Sequence, residues 1–156
     1  MIDGRSVLLT ALLLVVPAAL QSVPTPTRES GPANASRSVW DGVYTPAQAK
    51  RGEEQYETFC SSCHGSDLQG DGADAAALAG PRFTTKWDGR TLGALFTVAT
   101  QTMPQDAPGT LSPQAYGDLL AYILQANGFP DGEMELAHDA DTLRRIVLEQ
   151  TAPSPR

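Results

Sequence analysis

The segment Cys60-Ser61-Ser62-Cys63-His64 gathers three of the chain's four Cys and His residues into five positions of a 156-residue sequence. Two thiols three residues apart with an imidazole directly behind them form the C-x-x-C-H arrangement, which reads as covalent attachment of one c-type haem. The spacing has a physical reason. On a turn of helix the two sulfurs can form thioethers to the two vinyl edges of one porphyrin, and the adjacent imidazole then rises beneath the ring to bind iron. A sixth position is left to be filled or to stay open. Met103 is the natural candidate, because Pro104 pushes it into an extended conformation. A neutral, soft thioether there would favour ferrous iron, raise the reduction potential and block exogenous ligands, which suits electron transfer.

Rival readings of the same residues are weaker. A disulfide or thioredoxin-like redox pair at Cys60 and Cys63 should open a helix after a strand, and the sequence carries no alternating strand pattern. A zinc site would need a further ligand such as His138, at a spacing unlike the common zinc modules. His138, in Ala-His-Asp-Ala, is expected to be solvated, and Met134 to be a tail contact among acidic residues.

The elements that must position these groups are legible from caps and periodicity. A first helix starts at Thr45 as N-cap with Pro46 in the first turn. Its Ala49, Gly52, Tyr56, Phe59 and Cys63 recur at three- and four-residue steps, so the apolar stripe runs into the Cys-containing segment. Gly65 to Gly80 is rich in Gly, Asp and Ala and reads as a long loop of the kind that wraps something. Thr91 caps a helix with Leu92, Leu95, Phe96 and Ala99 on one face, ending before Thr102-Met103-Pro104. The last clear helix starts at Ser112 and ends at Gly128, with Tyr116, Leu119, Leu120, Ile123 and Leu124 in a wide stripe. In the tail, Leu143, Ile146 and Val147 fit one more short helical piece. Tyr116, Phe96 and Phe83 read as packing residues, here against porphyrin.

Composition narrows the function. There are 11 Lys+Arg against 18 Asp+Glu, a formal net charge of −7 and only two Lys, so the chain has no basic stripe for phosphates or anionic headgroups. Nucleic acid and membrane-surface partners are not expected. Glu53, Glu54 and Glu57 read as a solvated helix face. Three helices of this length enclose little core, and a large apolar prosthetic group would supply one. The first twenty residues combine a net-positive start, an apolar run from Val7 to Val16 and small residues near Ala18, the layout of a secretory signal peptide. A periplasmic or secreted protein follows, with no membrane insertion once the signal is cleaved. Gln21 to Ser38 reads as a flexible tether, and Val39 to Tyr44 as an aromatic flap on the folded body.

A first helix running into C-x-x-C-H, a Thr-Met-Pro segment and an aromatic-bearing last helix together resemble class I cytochromes c, over Thr45 to Gly128. The resemblance implies an all-α chain with the small cytochrome c fold, three main helices wrapped around one covalently attached haem, with a C-terminal helical extension. The expected organisation is a signal peptide over 1–20, a flexible linker and aromatic flap over 21–44, a cytochrome c domain over 45–130 and an extension over 131–156. In that family a Gly and an aromatic of the first helix pack across the last, matched here by Gly52 and Tyr56 against Leu119 and Tyr122.

The family also commonly has Pro-x-Leu-x-Gly, whose first carbonyl accepts the proximal His Nδ1–H. This sequence has Ala76-Ala77-Leu78-Ala79-Gly80, so the resemblance implies Ala76 as the acceptor in a less rigid loop. It also places Trp87 and Arg90 where haem propionates are often contacted.

The implied function is a one-electron carrier rather than an enzyme, with haem c bound through Cys60 and Cys63 and ligated by His64 and Met103. The alternatives are a haem enzyme or gas sensor with an open sixth site, or a cytochrome subunit of a dehydrogenase complex. Val39 to Tyr44, Phe83, the Trp87-Asp88-Gly89 turn and the Leu119 to Phe129 helix end look like the small cytochromes associated with pyrroloquinoline-quinone alcohol dehydrogenases. Redox proteins are therefore the expected partners, a quinoprotein dehydrogenase or a terminal oxidase among them.

Overall fold

Hydroxyl caps set where the helices begin. The Oγ1 of Thr45 accepts from Gln48 N (3.1 Å) ahead of α1 (Pro46–Phe59), Thr91 Oγ1 accepts from Ala94 N (3.2 Å) ahead of α4 (Leu92–Thr102), and Ser112 Oγ accepts from Ala115 N (3.1 Å) ahead of α5 (Pro113–Ala126). Each cap satisfies one of the amides that a helix start leaves unpaired. These three helices begin where the caps place them; the first stops at Phe59, short of the Cys63 to which its stripe runs, and the second, expected to end before Thr102, includes it. The computed structural model describes residues 37–153. The expected signal peptide (1–20) and residues 21–36 of the expected linker lie outside the described residues.

Two further helices flank the candidate chemistry. The single turn α2 (Ser61–His64) continues from α1 after a break at Cys60, and α3 (Pro81–Trp87) fills a stretch that periodicity alone does not mark as helix. Only Phe83 and Trp87 of α3 are buried, one turn apart, which is too short a stripe to stand out in the sequence.

The main packing event is α1 against α5. At the crossing, a Cβ on Gly52 would lie 1.9 Å from the carbonyl oxygen of Asp118, so only glycine permits the approach. One turn on, Tyr56 meets Tyr122 with ring centroids 5.4 Å apart. Beside them Arg51 donates from Nε and Nη2 to the two carboxylate oxygens of the buried Asp118, at 2.9 and 3.0 Å. A planar two-point contact of this kind fixes the relative rotation of the helices.

The first and last described segments belong to the same core. Arg37–Ser38 (β1) pairs in parallel with Ile146–Val147 (β2), so the tether expected to reach Ser38 gives way to paired backbone at Arg37. The piece expected to be helical through Val147 is helix only over Ala140–Leu143 (α6). Ile146 and Val147 are strand because a partner far away in sequence takes their backbone groups. Trp40 donates its indole N–H to Glu149 O (2.9 Å) and packs edge-on to Phe129. Leu136, Leu143, Ile146 and Leu148 are buried in the same core as α1, α4 and α5. Apart from the two-residue strands, the described chain is all-α.

Candidate functional site

Cys60 ends α1, and its carbonyl accepts from Cys63 N (3.2 Å) and His64 N (2.9 Å), so the motif is wound into one tight turn. Both thiols are unpaired, Cys60 half-buried and Cys63 exposed. Burial pushes the Cys60 thiol up to about 11, with Cys63 adding to the effect. His64 is buried, and its Nδ1 lies 2.8 Å from Ala76 O. A carbonyl can only accept, so Nδ1 carries the proton and Nε2 is left as the metal-binding nitrogen. Tyr56 Oη, donating to Gly65 O at 2.5 Å, fastens the chain directly after His64 back onto α1. Burial raises the pKa of this hydroxyl, which stays a neutral donor.

The loop from Gly65 to Gly80 returns to His64 twice. Gly70 N donates to His64 O (2.8 Å) before Ala76 supplies its carbonyl. At Gly70, with φ of 63°, a Cβ would sit 2.2 Å from Ala75 O. Asp71 Oδ1 accepts from the amides of Ala73, Asp74 and Ala75, each at 2.9 Å. Leu68 holds a left-handed φ of 60° while its side chain is buried and its carbonyl accepts from Leu78 and Ala79. Asn127 closes the loop from α5, its Oδ1 accepting from Gly80 N (3.0 Å) and its Nδ2 donating to Leu78 O (2.9 Å). A loop expected to be looser for want of a proline is thus held by Gly70, Asp71, Leu68 and Asn127.

Met103 caps α4 in extended conformation (φ −125°, ψ 151°) and is partly buried. It lines a cavity of about 700 Å³ together with Cys60, Cys63 and His64. That size lies within the ~300–1,000 Å³ of cofactor and small-molecule sites. An apolar cleft walled by Tyr56, Leu119, Leu120 and Ile123 shares Cys60 and Met103 with it.

Ala76 holds the imidazole from behind and does not line this cavity. Trp87 and Arg90 do not line it either: Trp87 packs beside Phe83 in the core, with the Arg90 guanidinium 5.5 Å from its ring centroid. His138 and Met134 are exposed. Among the described residues no group of three or more His, Cys, Asp and Glu side chains is close enough to hold a metal ion, so the zinc reading finds no ligand set there.

These residues fit a covalently held iron porphyrin: two unpaired thiols, a buried imidazole with its tautomer fixed, and a thioether, all around one cavity. Residues 47–123 match the family model described as cytochrome c oxidase, cbb3-type, subunit III. This segment is a class I cytochrome c domain. Domains of this family carry covalently bound haem c and transfer electrons, and Cys60 and Cys63 fit the attachment motif.

A chain of the sulfane dehydrogenase SoxCD from Paracoccus pantotrophus is similar at 22% identity with a TM-score of 0.48. The similarity covers 70% of this chain and 61% of that chain, so the cytochrome spans under two thirds of that protein's length. Comparison with curated proteins finds no match. Among the described residues no helix is long and apolar enough to cross a membrane.

Asn127 and Leu68 support the site without any motif to announce them. Asn127 follows the last helix, where an amide reads only as a C-cap, and its loop partners lie nearly fifty residues earlier.

Proposed function

We propose that the protein is an exported monohaem cytochrome c, periplasmic or secreted, that shuttles single electrons between redox proteins. In this reading Cys60 and Cys63 would tether the haem through thioethers, and His64 Nε2 and Met103 Sδ would hold its iron. Haem c, when bound, supplies an iron that cycles between ferric and ferrous. The observation that carries the reading is the shared cavity: His64, held by Ala76, and Met103, held at the end of α4, line the same space as both thiols.

The protein's part is to hold still. An imidazole fixed by a backbone carbonyl and a thioether fixed by a helix end change position little when charge changes, which keeps the reorganisation cost of each transfer small. With His64 and Met103 both holding the iron, peroxide and gases would find no binding position, which would separate a carrier from a haem enzyme or sensor. Electrons would leave at the edge marked by exposed Cys63 and by Phe59, itself 43% exposed, through a small transient interface.

A quinoprotein dehydrogenase as donor and a terminal oxidase as acceptor fit this role. The description of the matching family as an oxidase subunit supports the second. Intact mass and pyridine-haemochrome analysis of the exported protein test the reading. One covalent haem per chain is expected, together with loss of the leading residues; a mature chain with no added haem would overturn it.

A further inference from the structure

Resting on the His64 and Met103 reading above, we propose that Tyr116 is a positioning residue, a latch that holds the Met103 loop closed on the site. The chain from Met103 to Thr110 is bonded mostly to itself. Ala107 N donates to Pro104 O (3.0 Å), Thr110 Oγ1 to Ala107 O (2.8 Å) and Gly109 N to Met103 O (3.3 Å). Gln105, Asp106, Pro108, Gly109 and Thr110 are exposed, so this loop has little core beneath it.

Two bonds tie Met103 to the rest of the protein. Its amide donates to Ala99 O (2.9 Å), which belongs to the helix Met103 itself terminates and would move with it. Its carbonyl accepts from Tyr116 Oη at 2.6 Å, and this is the one side-chain hydrogen bond among those of the described residues that joins the loop to α5. Tyr116 is 2% exposed, and its ring stands edge-on to Phe96 of α4 at 6.2 Å, so burial and this ring contact hold the hydroxyl in place. Moving the Met103 backbone away from the cavity requires this short, part-buried bond to break, leaving the Met103 carbonyl with the long contact from Gly109 alone.

Imidazole added to the ferric protein reads this out, because it binds only as Met103 gives way. Tyr116→Phe removes the latch and keeps the ring. It is expected to tighten imidazole binding by about two- to tenfold, the value of one net hydrogen bond, and to weaken the long-wavelength absorption band that marks sulfur ligation. Tyr44→Phe is the control, since Tyr44 is as buried a residue as Tyr116 and its Oη donates to Phe129 O at 2.7 Å, away from the cavity. It is expected to lower the denaturant midpoint and leave imidazole affinity unchanged.

Unaltered imidazole affinity in Tyr116→Phe would overturn the latch, as would an equal change in both variants, which would mark a general loss of stability. Failure of the underlying ligation looks different: the unmodified protein itself would lack the sulfur band and would bind imidazole at an open site.

Discussion

His64 is gripped at two points by the loop that follows it, its carbonyl accepting from Gly70 N and its Nδ1 donating to Ala76 O. That grip depends on the turn between them, which Asp71 organises by accepting three successive amides. The same bonds hold the exposed Asp71 carboxyl below its ordinary value of 3.8, with the amide of Ala75 the largest cause. A carboxyl whose pKa is lowered on folding adds stability above its ordinary pKa, and loses that contribution as pH falls through the lowered value. The amide resonances of Ala73, Asp74 and Ala75 should therefore titrate together with a midpoint under 3.8, and Asp71→Ala should abolish the shared transition. Independent midpoints, or a common one above 3.8, would show that Asp71 does not organise the turn. At this scale the sequence exposes what chemistry itself spaces. The thiols and imidazole are adjacent by necessity, and Leu78-Ala79-Gly80 sets the register that points to Ala76. Asn127 and Leu68 stay hidden because their roles exist only after α5 and the loop have met.

Among the elements, the crossing of α1 and α5 carries the site, since α1 ends in the attachment motif and α5 packs behind the cavity. Gly52 sets how closely they approach, with Asp118 O where a Cβ would be. Gly52→Ala must push the helices apart, and a loss of about 3 kcal/mol or more in denaturant unfolding of the holoprotein is expected. Gly128→Ala is the contrast: it has a φ of 77° but open space around it, so its cost should stay near ~1–2 kcal/mol. Equal costs would mean that the close approach is not what glycine supplies at Gly52. The helices that start on Thr45, Thr91 and Ser112 were legible because cap and stripe agree on each, with Pro46 and Pro113 marking the first turn of two of them. Elements decided from outside were not. α3 shows just two buried side chains to periodicity, and Ile146-Val147 fits helical spacing until β1 takes its backbone.

Across the whole molecule, residues 131–150 complete a core that the three main helices leave short. Leu136, Leu143, Ile146 and Leu148 are each at most 5% exposed, and Gln48 exchanges two hydrogen bonds with the backbone of Leu136. Four such side chains contribute on the order of 6–12 kcal/mol, comparable with the ~5–15 kcal/mol that holds a domain together. A chain ended at Pro130 should lose its cooperative thermal transition or melt far below the full-length holoprotein; an unchanged melt would make the segment dispensable. The sequence marks this region as short and amphipathic without showing that it closes onto both Arg37–Ser38 and α4, because those partners lie along the rest of the chain. If His64 and Met103 both hold the haem iron, no position is left for a gas. Carbon monoxide added to the ferrous protein tests it most directly. The unmodified cytochrome should show no carbonyl spectrum, and Met103→Ala should bind carbon monoxide readily. Ready binding by the unmodified protein, at the rate of the variant, would contradict the account and point to an open site.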